Sequence, residues 1–403
     1  MNLDNILEAK RKLLAFEEDI SSLYERKMIR APVHLAGNNE EQLIKTFKNI
    51  QIDDWVCTSY RNHYHALLKG IPSDWIKDRI LKGSSMFLMN REHKFFSSAI
   101  VPGQLPVALG IAQALKLQGS KNKVWAFCGD MAAESGVFYE VTKYAAGHKL
   151  PIKFVVEDDG LSVYTPTRDV WPASVFEKEP EEKIGAHSFP KTREENTDGA
   201  ILRYKYTRKW PHHGIGLWIK YDEEEEKEPK YLKEIKRAMD IIGEDRRVVF
   251  IGQTTRYKGS PIHESLKDIP LERRIEVPIM EEVQMGMATG MALAGYVPVN
   301  IYPRFDFLIL ATNQLVNHLD KIREMSGGDF NPRVIIRTAV GSKSPLNGGP
   351  QHTQDHTEAY RKMLTNIDVV RLDHKDQIVT EYNKALKSER STLLVEMADL
   401  YTK

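Results

Sequence analysis

The sequence predicts two α/β domains in tandem, each a mainly parallel β-sheet flanked by helices. Three observations predict this. The apolar runs Val124 to Cys128 and Ile152 to Val156 end in Gly129-Asp130 and in Glu157-Asp158-Asp159-Gly160, with helical spacing from about Ser135 to Gly147 between them. Such a strand–helix–strand unit is the crossover that parallel pairing requires. The acidic run Asp222-Glu223-Glu224-Glu225-Glu226-Lys227-Glu228-Pro229 reads as a solvated linker near the middle of the chain. Beyond it the α/β pattern restarts, with a helix over Tyr231 to Ile242 and a strand over Arg247 to Gly252. The predicted boundaries are residues 1–220, a linker at 221–230, and residues 231–403.

Composition bounds the function. A chain of 403 residues is long enough for two or three domains, and 41% apolar with 28% charged residues is ordinary for a globular protein. A formal net charge of +1 leaves no basic footprint for nucleic acid or a membrane surface. No apolar run approaches the roughly 20 residues of a spanning helix. Met1-Asn2-Leu3-Asp4 lacks the basic-then-apolar layout of a secretory signal, and the two cysteines, Cys57 and Cys128, are expected to be buried. These features suit a reducing cytoplasm.

Taken in order, Leu3 to Lys27 places Ile6, Leu13, Leu14, Phe16, Ile20 and Leu23 at helical spacing, which predicts an amphipathic helix. Ile29 to Glu40 is a loop leading into another helix. Asp54 to Gly70 holds Tyr60-Arg61-Asn62-His63. Arg is the natural bidentate partner of a phosphate and Tyr adds a hydroxyl donor; a helix with a solvated Arg and a core Tyr fits the same residues. Gly103, in Ile100 to Gly110, permits close backbone approach to a ligand, or simply a tight turn into a packed helix.

Ligands of open α/β sheets sit outside the carboxyl ends of the strands. Asp130 and Asp159 end such strands and could offer two oxygen ligands to a hard cation such as Mg2+, shared with substrate phosphates. Two unrelated turn aspartates are the alternative. Pro166 to Ala200, including Glu177 to Lys183, is charged and proline-rich and reads as a loop-rich insertion. Pro211-His212-His213-Gly214 follows, where a surface His pair is one reading.

In the second half, Glu281 stands before a Gly/Ala-rich helix over Gly286 to Gly295, where an acidic residue also favours a helix start. Phe305, His352 and the closing strands Val369 to Arg371 and Leu393 to Glu396, with a helix between them, complete the domain.

These motifs resemble those of thiamine-diphosphate enzymes. Gly129-Asp130 followed by Asp158-Asp159 is similar to their metal-diphosphate signature, although the family has Gly where Met131 stands and Asn-Asn where Asp158-Asp159 stands. Residues 10 to 165 resemble the alpha subunit of the decarboxylating first component of 2-oxo acid dehydrogenase complexes. Residues 230 to 398 resemble its beta subunit, through Pro278-Ile279-Met280-Glu281, Pro303-Arg304-Phe305-Asp306-Phe307, Ser326-Gly327-Gly328 and Pro350-Gln351-His352-Thr353-Gln354. Gln253 departs from the family's usual Glu.

The resemblance implies two thiamine-diphosphate-binding-type domains, an alpha-like and a beta-like half fused without the last beta-subunit domain. It implies metal ligation by Asp130, Asp159 and the Leu161 carbonyl. It implies cofactor contacts from Tyr60, Arg61, Gly103, Leu105, Gly129, Met131, Ala132, Val163, Phe305 and His213 (or its neighbour His212), and catalytic roles for Glu281, His352 and His63. Glu281 would bond the aminopyrimidine of thiamine diphosphate, so that the cofactor removes its own thiazolium proton. The implied reaction is decarboxylation of a 2-oxo acid, with the acyl or hydroxyalkyl carbanion passed to an unknown acceptor. A transketolase-like or acyloin-forming carboligase and a non-catalytic assembly protein with a decayed site are the alternatives. A homodimer or homotetramer with inter-chain sites is expected, and an acyltransferase partner is compatible.

Overall fold

A computed structural model describes residues 3–172, 201–216 and 230–401. The acidic linker and Glu177 to Lys183 lie outside the described residues. The chain divides into two compact units, Met1–Lys220 and Tyr221–Lys403.

The first unit opens with α1 (Ile6–Glu25), capped by Asn5, whose Oδ1 accepts the Glu8 N–H at 3.1 Å. It buries Leu13, Phe16, Ile20 and Leu23 against the unit's core. Then come α2 (Glu40–Phe47), β1 (Trp55–Thr58), α3 (His63–Leu68), α4 (Ser73–Leu81), β2 (Met89–Asn90) and β3 (Phe95–Ser97). They are followed by α5 (Gln104–Leu117), β4 (Val124–Gly129), α6 (Asp130–Ala133), α7 (Gly136–Gly147) and β5 (Ile152–Asp158). The short hairpin β6 (Leu161–Ser162) and β7 (Thr165–Pro166), α8 (Thr167–Val170) and β8 (Ile201–Lys205) complete the unit.

The sheet order is β2-β3-β1-β4-β5-β8, parallel except for the β2–β3 pair. Both faces of β4 are covered, which explains why Val124 to Cys128 is apolar at every position rather than alternating. Cys57 and Cys128 are buried, as expected. The region from Asp54 to Gly70 is not one helix: β1 ends at Thr58 and α3 begins at His63, so Tyr60 and Arg61 occupy a loop at a strand's carboxyl end.

The second unit contains α9 (Lys230–Ile242), β9 (Val248–Gly252), α10 (Pro261–Leu266), β10 (Arg274–Glu276), α11 (Glu281–Leu293), β11 (Val297–Ile301), α12 (Phe305–Leu308) and α13 (Ile322–Met325). It continues with β12 (Ile335–Val340), α14 (Thr357–Met363), β13 (Ile367–Arg371), α15 (Lys375–Lys387) and β14 (Ser391–Met397). The sheet is parallel throughout, in the order β10-β9-β11-β12-β14-β13. The helix placed by sequence at Gly286 to Gly295 begins earlier, at Glu281, because polar Gln284 turns inward to bond Asn300 Oδ1 at 2.7 Å and extends the packed face. Gly252 must be glycine: a Cβ there would meet the Ile301 carbonyl oxygen at 2.6 Å. A buried ion pair, Arg337 Nε to Glu396 Oε1 at 2.8 Å, is satisfied by Tyr382 and Ser265 and ties β12 to β14. Among the described residues no helix is long and apolar enough to cross a membrane.

Candidate active-site halves

In the first unit the carboxyl ends of β1, β4, β5 and β8 converge. A cleft of about 550 Å³ lies there, lined by Asp130, Asp158, Asp159, Thr167, Lys205 and Tyr206. Asp130 follows β4 directly and is the first residue of α6. Burial, with the neighbouring charges of Asp159 and Asp158, pushes its carboxyl up to about 7. Burial likewise raises Asp159, against the pull of Arg208 and Arg61. Two buried carboxyl groups that oppose one another's ionisation form a site where a cation is favoured. Among the described residues no three His, Cys, Asp or Glu side chains cluster as a metal cage. Mg2+ takes one or two carboxylates and completes its shell with phosphate oxygens and water. The donor set therefore fits a metal shared with a diphosphate.

The departures from the family pattern acquire physical reasons. Met131 lies inside α6 and is buried, so this position needs no glycine-specific backbone. Each extra carboxylate has an arginine: Arg203 forks onto Asp158 at 2.8 and 3.1 Å, and Arg208 Nη1 lies 3.3 Å from Asp159. The added negative charge is thus offset by the protein itself. Leu161, whose carbonyl is the third expected ligand, sits in the β6–β7 hairpin, and its N–H donates to Asp159 Oδ1 at 3.2 Å. Val163 has φ 56°, an outlier for a β-branched residue that commonly marks a functional constraint.

Arg61 is held in place by backbone. Its Nη1 donates to the Leu35 carbonyl at 2.8 Å and its Nη2 to the His212 carbonyl at 3.2 Å. The Leu35 loop is fixed in turn by buried Glu17, which accepts the Ala36 N–H at 2.8 Å. Tyr60 packs among histidines, tilted to the His34 ring at 4.5 Å and edge-on to His212 at 5.8 Å. His212 lies inside this cluster, and burial with the adjacent His34 and Arg61 holds its pKa well below the usual value. His213 lies at its exposed edge, its ring 5.8 Å from that of His212 and its Nδ1 3.1 Å from the Tyr164 hydroxyl. Gly103 precedes α5, and a Cβ there would stand 3.0 Å from the Ile100 carbonyl oxygen. Leu105 and Ala132 belong to one buried cluster with β4, whose last residue is Gly129.

His63 is placed differently. Its ring is buried against Phe16, Nε2 lies 2.9 Å from Ser85 Oγ, and burial lowers its pKa to about 3. These are core contacts, and the structure does not bring His63 to the cleft.

In the second unit the segments that follow β9, β10, β11 and β12 carry the candidate residues. Glu281 is buried at the head of α11 and accepts a hydrogen bond from Gln253 Nε2 at 3.1 Å. Burial pushes its carboxyl up to about 7. The Gln253 departure is therefore a neutral donor to this acid rather than a lost function. Gln354 donates to Asp306 at 2.7 Å and pins the loop that carries His352. Burial, with Arg304 adding to it, lowers the His352 pKa to about 3, so its ring is neutral near pH 7. Phe305 has no exposed surface and packs on Tyr360 and His356, with ring centroids 5.2 and 5.6 Å away. It does not present a free face. Phe307, half-buried and edge-on to His352 at 5.4 Å, is the aromatic ring nearer the loop.

Sequence reasoning did not single out His34, Arg208 or Phe307. His34 and Phe307 lie within stretches that carried the resemblance, which was a usable signal. Nothing local distinguishes Arg208 from the other basic residues around it.

Comparison with known proteins agrees with this geometry. Residues 8–173 match the family described as dehydrogenase E1 component, and residues 228–403 match the transketolase pyrimidine-binding domain. Similar proteins are the pyruvate dehydrogenase E1 component alpha subunits of Zymomonas mobilis, 33% identical over 40% of this chain and 50% of the relative, and of Porphyra purpurea, 31% identical over 40% and 55%. The Rickettsia bellii subunit is 30% identical over 49% of this chain and 64% of the relative. The chain thus spans between half and two thirds of the length of these relatives. The two domain types imply thiamine diphosphate with a divalent metal, typically Mg2+. One chain thus joins a stretch that matches the dehydrogenase E1 component family and a stretch that matches the transketolase pyrimidine-binding domain, an alpha-like and a beta-like half similar to those of thiamine-diphosphate-dependent 2-oxo acid dehydrogenase first components.

Proposed function

We propose that the chain decarboxylates a 2-oxo acid, pyruvate being the first candidate from the relatives' names, and passes the acyl unit to an acceptor. The observation that carries this reading is Glu281, a buried acid at the head of α11 held near pH 7 in its protonation and fixed by Gln253. A site retained only for assembly has no use for a buried ionisable group, because burying it costs stability. Bound thiamine diphosphate supplies an acidic thiazolium carbon and an electron sink. Arg61 would grip the diphosphate, and Asp130 with Asp159 would hold its metal. Glu281 would hold a proton on its carboxyl beside a ring nitrogen of the bound pyrimidine. His352, neutral near pH 7, donates a hydrogen bond to substrate oxygen.

The test is a panel of 2-oxo acids with thiamine diphosphate and Mg2+, measuring CO2 release with an artificial electron acceptor and, separately, with aldehydes. CO2 release with the electron acceptor is expected. Carbon–carbon bond formation alone would move the protein to the carboligases. No cofactor binding at millimolar concentration would leave the assembly reading. A lipoyl group on an acyltransferase is the natural acceptor in this reading.

A second copy of the chain is the expected partner, since a chain holding one of each half builds paired sites by meeting another. Sedimentation is expected to show a dimer or tetramer. A monomer with full cofactor affinity would remove the inter-chain site.

A further inference from the structure

The geometry points to Arg208 as a built-in counter-cation for Asp159, competing with the divalent metal so that the metal is taken up strongly only together with the diphosphate. This rests on the metal–diphosphate reading of the cleft proposed above.

The ion pair is 3.3 Å long, and the two side chains are 7% and 6% exposed. A pair this dry is not screened as surface pairs are. Arg208 Nη2 also reaches the carbonyl of Val163, at 3.5 Å, so the guanidinium bridges Asp159 to the strained residue four positions on. An Asn at position 159 could not form this ion pair; the Asp creates it. While Arg208 neutralises Asp159, that carboxylate is a poorer ligand for a second cation, because two positive charges would meet across one carboxylate. Arg61 stands near enough to oppose the Arg208 charge as well. An arriving diphosphate gives both guanidinium groups another anionic partner. Asp159 is then released to the metal. Metal and diphosphate binding are coupled through Arg208, and coupling of this kind is reciprocal.

The experiment uses the full chain with Mn2+ as probe, read by the electron spin resonance of the free ion, first without and then with thiamine diphosphate. Arg208→Gln is expected to raise cofactor-free Mn2+ affinity by about tenfold, the middle of the range for directly coupled residues. In an Asp159→Asn background the same change is expected to have no effect, and Asp159→Asn alone is expected to keep cofactor-dependent binding. Arg208→Lys retains the charge and is expected to stay near wild type, with circular dichroism confirming that each variant folds. Unchanged or lower Mn2+ affinity in folded Arg208→Gln overturns the competition, as does an equal rise in Arg208→Lys. Failure of the wild type to take up Mn2+ even with thiamine diphosphate overturns the metal–diphosphate reading itself and the competition with it.

Discussion

Glu281→Gln is expected to slow exchange of the thiazolium proton of bound cofactor with deuterated water by about 10²- to 10⁴-fold, roughly 3 to 5.5 kcal/mol of barrier. The replacement keeps shape and still accepts the Gln253 hydrogen bond, so cofactor affinity should change little. Stability provides an independent readout. Burial raises the carboxyl from an ordinary value near 4.5 to about 7. Between those values the folded protein keeps a proton that the unfolded chain releases. The unfolded state then binds fewer protons, so stability falls as pH rises from 4.5 to 7 and levels off above that. The glutamine variant lacks this loss and is expected to be the more stable protein at pH 8, with the difference vanishing by pH 4. A solvated helix-start charge would act in the opposite sense, its removal costing about 0.3 to 1 kcal/mol. Proton exchange at the wild-type rate would remove the catalytic assignment, whatever the melting curves show.

Asp130→Ala is expected to weaken metal-dependent binding of thiamine diphosphate roughly 30- to 4,000-fold, as truncating one partner of a buried charge contact costs about 2 to 5 kcal/mol. The cofactor-free protein should not melt earlier at pH 8, because ionised Asp130 is opposed there by burial and by Asp159 and Asp158. Loss of binding with stability retained or raised separates a ligand role from a structural one. Titration calorimetry at saturating Mg2+ measures the first and differential scanning calorimetry the second. Wild-type affinity in the variant would show that the cation does not sit on Asp130.

The sequence by itself determined the strands at Val124 to Cys128, Ile152 to Val156, Arg247 to Gly252, Val369 to Arg371 and Leu393 to Glu396, and the strand-end positions of Asp130 and Asp159. Runs such as Val124 to Cys128 and Val248 to Ile251 are apolar throughout because helices cover both sheet faces, and that composition is a local property. The residues of Pro278 to Glu281 could be placed at the head of a helix for the same reason. What only the tertiary structure decided is which charges meet. Asp159 with Arg208, Glu281 with Gln253 and His34 with Tyr60 and His212 are brought together from segments distant in the chain, and Asp158 with Arg203 by the pairing of β5 with β8. Their spacing along the chain follows no helical or strand period, so no pattern announces them. Burial also divided residues that look equivalent in sequence: Phe305 went to the core and Phe307 stayed beside His352, because one turn of α12 directs them to different neighbours. His63, two residues from Arg61, was carried into the core by the first turn of α3 while Arg61 stayed in the loop. Periodicity fixes which face of an element is buried; the identity of the group opposite it depends on packing between elements distant in the chain.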